Sequence, residues 1–203
     1  MKIKHPHQSN SRANWLKTPV GSGQFRSYLM DKGSLTRRLQ LQSQHFAVSP
    51  LQLKQTKALH DEAILLALKQ QQTALQRDVL LVCDGVAMVF AHSVLPKRSL
   101  RGKWRALGRL GAKPLGAKLF ANPQVKRTPL SYKKLSSHHS LYQRISRYCV
   151  ANDVSNHQGH QQIQNPKPRQ TLWARRSVFS LHHSNLGHAK ILVTEVFLPA
   201  LLK

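Results

Sequence analysis

Acidic side chains are scarce in this 203-residue chain: seven Asp and Glu stand against 32 Lys and Arg, a formal charge of +25. Such a balance favours anionic partners, whether nucleic acid, an anionic membrane or a small acid, and does not choose among them. Most of the basic residues read as solvated surface. Cysteine is scarcer still. Cys83 and Cys149 have neither metal-ligand spacing nor a disulfide framework, so both read as free thiols in a reducing compartment. No apolar run approaches the ~20 residues needed to span a bilayer. The basic start Met1-Lys2-Ile3-Lys4 lacks the apolar stretch of a secretory signal, and a cytoplasmic location is expected. The neighbouring pairs His138-His139 and His182-His183 read as polar surface, without the helix-spaced pattern of a metal site, and no metal is expected. What the chain does have is 40% hydrophobic residues. That suffices for one domain with a buried core and rules out a disordered basic tail.

The organisation follows from local signals. Residues 1–13 read as a loose basic tail, and residues 14–203 as one domain. Ser34 is a helix cap ahead of Leu35-Thr36-Arg37-Arg38-Leu39. Residues 61–70 suit a helix with its acids at the N-terminal end. Strands are expected over 77–83 and 88–95, joined at Asp84-Gly85 as a hairpin. A basic helix is expected over 98–110 and a loop over 111–116. The Ser-, His-, Gln- and Asn-rich stretch at about 135–168 reads as an insertion outside the core. Strands over 178–181 and 190–198 follow, separated by a turn at 182–189. The pattern is α+β, with an antiparallel sheet.

Two charges are out of place in it. In a strand, successive side chains point to opposite faces, so Ile191, Val193, Glu195 and Phe197 share one. An unpaired carboxylate on a buried apolar face costs several kcal/mol, roughly. Arg77 likewise opens the stripe Arg77, Val79, Leu81 and Cys83. It either pairs with Glu195 or holds an anionic ligand through its planar fork. Together they point to a polar pocket within a hydrophobic sheet.

Larger blocks recur in a recognisable order. They are Arg77-Asp78-Val79-Leu80-Leu81 with Asp84-Gly85, Val94-Leu95-Pro96 with Ser99-Leu100, and Leu110-Gly111 with Pro114-Leu115-Gly116 and Leu119-Phe120. Trp173 with Arg175-Arg176-Ser177, and Thr194-Glu195 with Phe197-Leu198-Pro199, complete the set. Across roughly residues 33–200, the chain resembles the chorismate pyruvate-lyases. The resemblance implies an antiparallel sheet of about six strands with helical flaps over the ligand, and no cofactor. It implies loss of pyruvate from chorismate to give 4-hydroxybenzoate, the entry to the ubiquinone ring. It also implies site residues: Arg77 for the ring carboxylate, contacts at Leu35 and Leu115, and Glu195 at the ring hydroxyl. Arg77 and Glu195 are the catalytic candidates. The chain departs from the family pattern at Gly33, where an Asp is usual, and in the longer polar segment. The partners implied are small molecules, with a monomer expected and no specific nucleic acid.

Two other readings stand beside this one. The charge suits a nucleic-acid binder, but no helix-turn-helix, zinc-finger or RNP aromatic motif is present. A non-catalytic sensor of an aromatic acid fits the same fold, but the first ~30 residues are too few for a DNA-binding domain.

Overall fold

The computed structural model of the chain describes residues 14–69, 72–154, 170–183 and 187–202. Seven strands form one sheet: β1 (Phe46–Lys57), β2 (Thr73–Cys83), β3 (Val86–Pro96), β4 (Lys126–Arg127), β5 (Ser131–Leu135), β6 (Leu172–His183) and β7 (Gly187–Phe197). The order is β1-β2-β3-β7-β6-β4, with β5 also on β6, and every pairing is antiparallel. Five helices accompany it: α1 (Arg26–Met30), α2 (Leu35–Gln42), α3 (His60–Leu66), α4 (Leu115–Phe120) and α5 (Ser140–Val154). The class is α+β, as the sequence implies, with seven strands where about six were expected.

Local chemistry accounts for the elements that position the site. Asp84 and Gly85 have φ of 49° and 79°, the positive values that a tight two-residue hairpin turn requires at both central positions. Asp84 also accepts a 2.7 Å hydrogen bond from the His45 amide, tying β1 to the turn. Ser34 caps α2 by accepting from the Arg37 amide at 3.3 Å.

Several expectations are corrected. Residues 98–110 form no α-helix but two 3-10 segments, Lys97–Leu100 and Gly102–Arg109. Gly102 and Gly108 each weaken an α-helix by about 1 kcal/mol. The three-residue period puts Trp104, Leu107 and Leu110 on one stripe, each 4% exposed. The loop expected over 111–116 ends early, because α4 begins at Leu115. The expected turn at 182–189 is shorter, since β6 runs to His183 and β7 starts at Gly187. The polar stretch from 135 is not outside the core: β5 ends in it and α5 occupies 140–154, with Leu135, Leu141, Tyr142, Ile145 and Cys149 buried. Residues 155–169 of that stretch, and the tail over 1–13, lie outside the described residues. Strand β1 was not foreseen; it is an edge strand with a bulge between Pro50 and Gln52 that breaks its alternation.

Both faces of the sheet are covered. On one, Leu80, Val82, Phe90, Ala174 and Val196 pack with Leu141, Ile145 and Cys149 of α5. On the other, Val79, Leu81, Val89 and Phe197 pack with Leu29 of α1 and with Leu35 and Leu39 of α2. The α5 side also buries charge. His92 is 0% exposed, with Nδ1 2.5 Å from Asp78 Oδ1 and Nε2 3.2 Å from Glu62 Oε1. The second contact is an ion pair without hydrogen-bond alignment. Arg144 of α5 reaches Asp78 Oδ2 at 3.3 Å.

Burial would lower the pKa of His92, but the hydrogen bond with Asp78 and the charges of Asp78 and Glu62 overcome it and raise it from 6.5 to about 9. A raised folded value means a stabilisation complete below the ordinary pKa of 6.5 and lost as pH climbs through about 9. Urea unfolding near pH 6 and near pH 9.5 is therefore expected to differ by up to about 3 kcal/mol. In His92→Gln most of that pH dependence disappears; an unchanged profile in the variant would mean that His92 does not carry it.

Candidate active site

An enclosed cavity opens on the α1–α2 side of the sheet. Its floor is built by alternation: Arg77, Val79 and Leu81 of β2, Ala91 and Ser93 of β3, and Val193 and Glu195 of β7. The roof is made by Ser34, Leu35 and Thr36 at the start of α2 and by Pro114, Leu115 and Gly116 at the start of α4. The two helix starts meet closely: a Cβ on Gly116 would lie 3.4 Å from Thr36 Oγ1 and 3.5 Å from Ser34 Oγ. The first amides of a helix have no acceptor within it, so Leu35 and Leu115 bring two such donors to the roof. The space between the walls, mouth and adjoining solvent included, is about 550 Å³. All four residues singled out in the sequence, Leu35, Arg77, Leu115 and Glu195, line this cavity.

Arg77 is 5% exposed. One of its terminal nitrogens donates to the carbonyls of Gly111 at 2.8 Å and Lys113 at 3.1 Å, which orients the fork beneath the 111–114 loop. Burial pulls its pKa below the ordinary arginine value. No acidic side chain pairs with it among the described residues. The Arg77–Glu195 pair that the sequence left open does not form.

Glu195 pairs instead with Arg175 of β6, directly opposite it in the β6–β7 register. Arg175 Nε donates to Glu195 Oε2 at 2.6 Å, with side-chain exposures of 0% and 16%. Arg175 Nη1 donates to the carbonyls of Tyr28 at 2.6 Å and Asp31 at 2.7 Å. One guanidinium thus joins the carboxylate to the chain segment between α1 and α2. Sequence reasoning placed Arg175 in a block but gave it no role. The available signal was the strand alternation Trp173, Arg175, Ser177, Phe179; it was unusable without the partner strand, because Arg176 looked equally eligible. Arg176 faces the opposite side and pairs with Asp61 Oδ2 at 2.5 Å.

The wall contains another arginine that the sequence reading missed. Arg127 of β4 lines the cavity. It donates through Nε to Ser177 Oγ at 2.8 Å and through Nη1 to the Lys32 carbonyl at 2.9 Å. Among the described residues, no group of three or more His, Cys, Asp or Glu is placed to hold a metal ion. The arrangement is an apolar slot with cationic forks, helix-start amides and one carboxylate, suited to a small aromatic or ring-shaped acid.

Comparison with known proteins gives the same direction. The family model described as chorismate lyase matches residues 10–203. The probable chorismate pyruvate-lyase of Methylobacillus flagellatus is 48% identical over 192 residues, covering 95% of this chain and 96% of the relative. That of Nitrosomonas europaea is 42% identical over 188 residues, covering 92% and 94%. Among solved structures, PhnF from Mycobacterium smegmatis aligns with a TM-score of 0.55 at 13% identity, over 86% of this chain and 67% of that one. The effector domain of PhnF aligns with a TM-score of 0.51 at 14% identity, over 83% and 90%. These structural likenesses establish a shared fold.

Proposed function

The chain belongs to the chorismate lyase family, and we propose that its cavity converts chorismate to 4-hydroxybenzoate and pyruvate. The observation that carries this reading is the convergence of Leu35, Arg77, Leu115 and Glu195 on one enclosed space. Chorismate is a dianion whose aromatisation is strongly downhill, so the protein's task is positioning and placed charge rather than forcing a difficult bond change. Arg77 and the amides of Leu35 and Leu115 grip the ring carboxylate, and Glu195 takes a hydrogen bond from the C4 hydroxyl. As the C3–O bond breaks, its electron pair leaves on the enolpyruvyl oxygen and the C4 proton departs. The C–H electrons complete the aromatic ring. The methylene carbon of the leaving group gains a proton, giving pyruvate.

Glu195 in this reading orients the ring rather than serving as an obligatory base. In support, its Oε2 is committed to Arg175. Glu195→Gln preserves shape and hydrogen bonding, and is expected to lower kcat by about tenfold or less. A positioned general base contributes about 10²–10⁴, so a loss in that range would make Glu195 the base.

The function itself is tested by incubating the protein with chorismate and following both products. Equimolar 4-hydroxybenzoate and pyruvate support the reading. Saturable 4-hydroxybenzoate binding without turnover would point to a sensor, a use compatible with the fold shared with the PhnF effector domain. The product's chemistry suits the first committed step of ubiquinone ring synthesis. No described helix is long and apolar enough to cross a membrane. We propose a cytoplasmic monomer, on the absence of a disulfide between Cys83 and Cys149 and the lining of the site by one chain.

A further inference from the structure

Chorismate carries two carboxylates, and the roles above use only one cation of the cavity to hold them. Arg175 is committed to Glu195. Arg127 is the other guanidinium in the wall. It is held from several sides: Ser177 Oγ and the Lys32 carbonyl accept from it, and its centre lies 5.1 Å from the Phe179 ring and 5.4 Å from the Phe120 ring. These contacts fix the plane of the fork but leave its charge without a paired carboxylate among the described residues. Its backbone partner in the sheet is Phe179, whose side chain also lines the cavity. Arg127 donates to Ser177, two residues along the same face of β6 from Arg175, which holds Glu195, so Arg127 belongs to the hydroxyl end of the slot and Arg77 to the other. In chorismate the enolpyruvyl ether is on the carbon next to the hydroxyl.

We propose that Arg127 binds the carboxylate of the enolpyruvyl side chain. This rests on the chorismate reading of the same cavity. A fork at that place does two things. It fixes the side chain for departure, and it faces the negative charge that develops on the leaving group as the C3–O bond breaks. The product 4-hydroxybenzoate has no such carboxylate, so Arg127 recognises substrate and leaving group but not the aromatic product. Arg77 serves both.

The test separates these two dependences. Arg127→Ala is expected to lower kcat/KM for chorismate by about 100-fold or more, with 4-hydroxybenzoate affinity, measured by calorimetry, changed by less than about threefold. Arg127→Lys keeps the charge but not the planar fork and is expected to fall between. It also provides the reading if the alanine variant fails to fold, the fold being checked by circular dichroism. A kcat/KM within about threefold of the unmodified enzyme in a folded Arg127→Ala overturns the proposal. So does a parallel fall in substrate and product affinity, which would mark Arg127 as a structural support. Absence of chorismate turnover in the unmodified protein is a different failure: it removes the lyase reading itself, and this assignment with it.

Discussion

Arg77→Ala is expected to lose about two to three and a half orders of magnitude in affinity for both chorismate and 4-hydroxybenzoate. The residue is 5% exposed, and burial already disfavours its charge. A carboxylate arriving at that fork replaces water with a charge-assisted, directional contact. Removing one partner of such a buried pair costs about 3–5 kcal/mol, and each 1.4 kcal/mol or so is a factor of ten. The variant also leaves the Gly111 and Lys113 carbonyls without their donor, so the 111–114 loop loses its tether and the helix start at Leu115 loses its placement. Arg77→Lys is the control. It restores charge but not the fork that spans two carbonyls and an anion, and is expected to recover only part of the affinity. Calorimetric titration with 4-hydroxybenzoate checks the prediction directly. An affinity unchanged from the unmodified protein would take Arg77 out of the site.

Arg175→Met is expected to be strongly destabilising. It strands the Glu195 carboxylate and deprives the carbonyls of Tyr28 and Asp31 of a donor. The expected cost is about 3–5 kcal/mol, which for a chain of this size is roughly 10 °C or more in Tm. Activity should fall with it, because Glu195 is no longer held and the segment leading into Leu35 is released. The double variant Arg175→Met with Glu195→Leu separates the two effects. Replacing both members of a buried pair with apolar side chains of similar volume is often neutral or stabilising, so Tm is expected to recover while turnover does not. A single variant as stable as the unmodified protein would show that the pair does not hold the site together.

The contrast between these two arginines shows where sequence reasoning reached and where it stopped. Arg77 and Glu195 were legible because each interrupts an apolar alternation, and alternation needs only the local chain. Arg175 and Arg127 were not. Arg175 sits beside Arg176, and choosing the inward one requires knowing which face of β6 meets Glu195. Arg127 lies on a strand of two residues, too short for any period. Composition misled at 140–154 for a related reason. Averaged over the whole stretch at about 135–168, Ser, His, Gln and Asn dominate, but a helix commits only one face to the core. Leu141, Ile145 and Cys149 lie four residues apart on that face and are 1%, 1% and 0% exposed.

The amino-acid sequence by itself determined the hairpin at Asp84-Gly85, the Ser34 cap, the faces of β2 and β7, and the presence of a charged pair of positions on them. Each depends on steric or hydrogen-bonding preferences acting within a few residues. Only the tertiary structure decided how the charges are shared. The β6–β7 register sets Arg175 opposite Glu195, and the junction of the α2 and α4 starts leaves Arg77 and Arg127 as the cavity's cations without paired carboxylates among the described residues. Those pairings join positions 20 to more than 140 residues apart. They are settled by the order and register of strands across the whole sheet, which no local window contains.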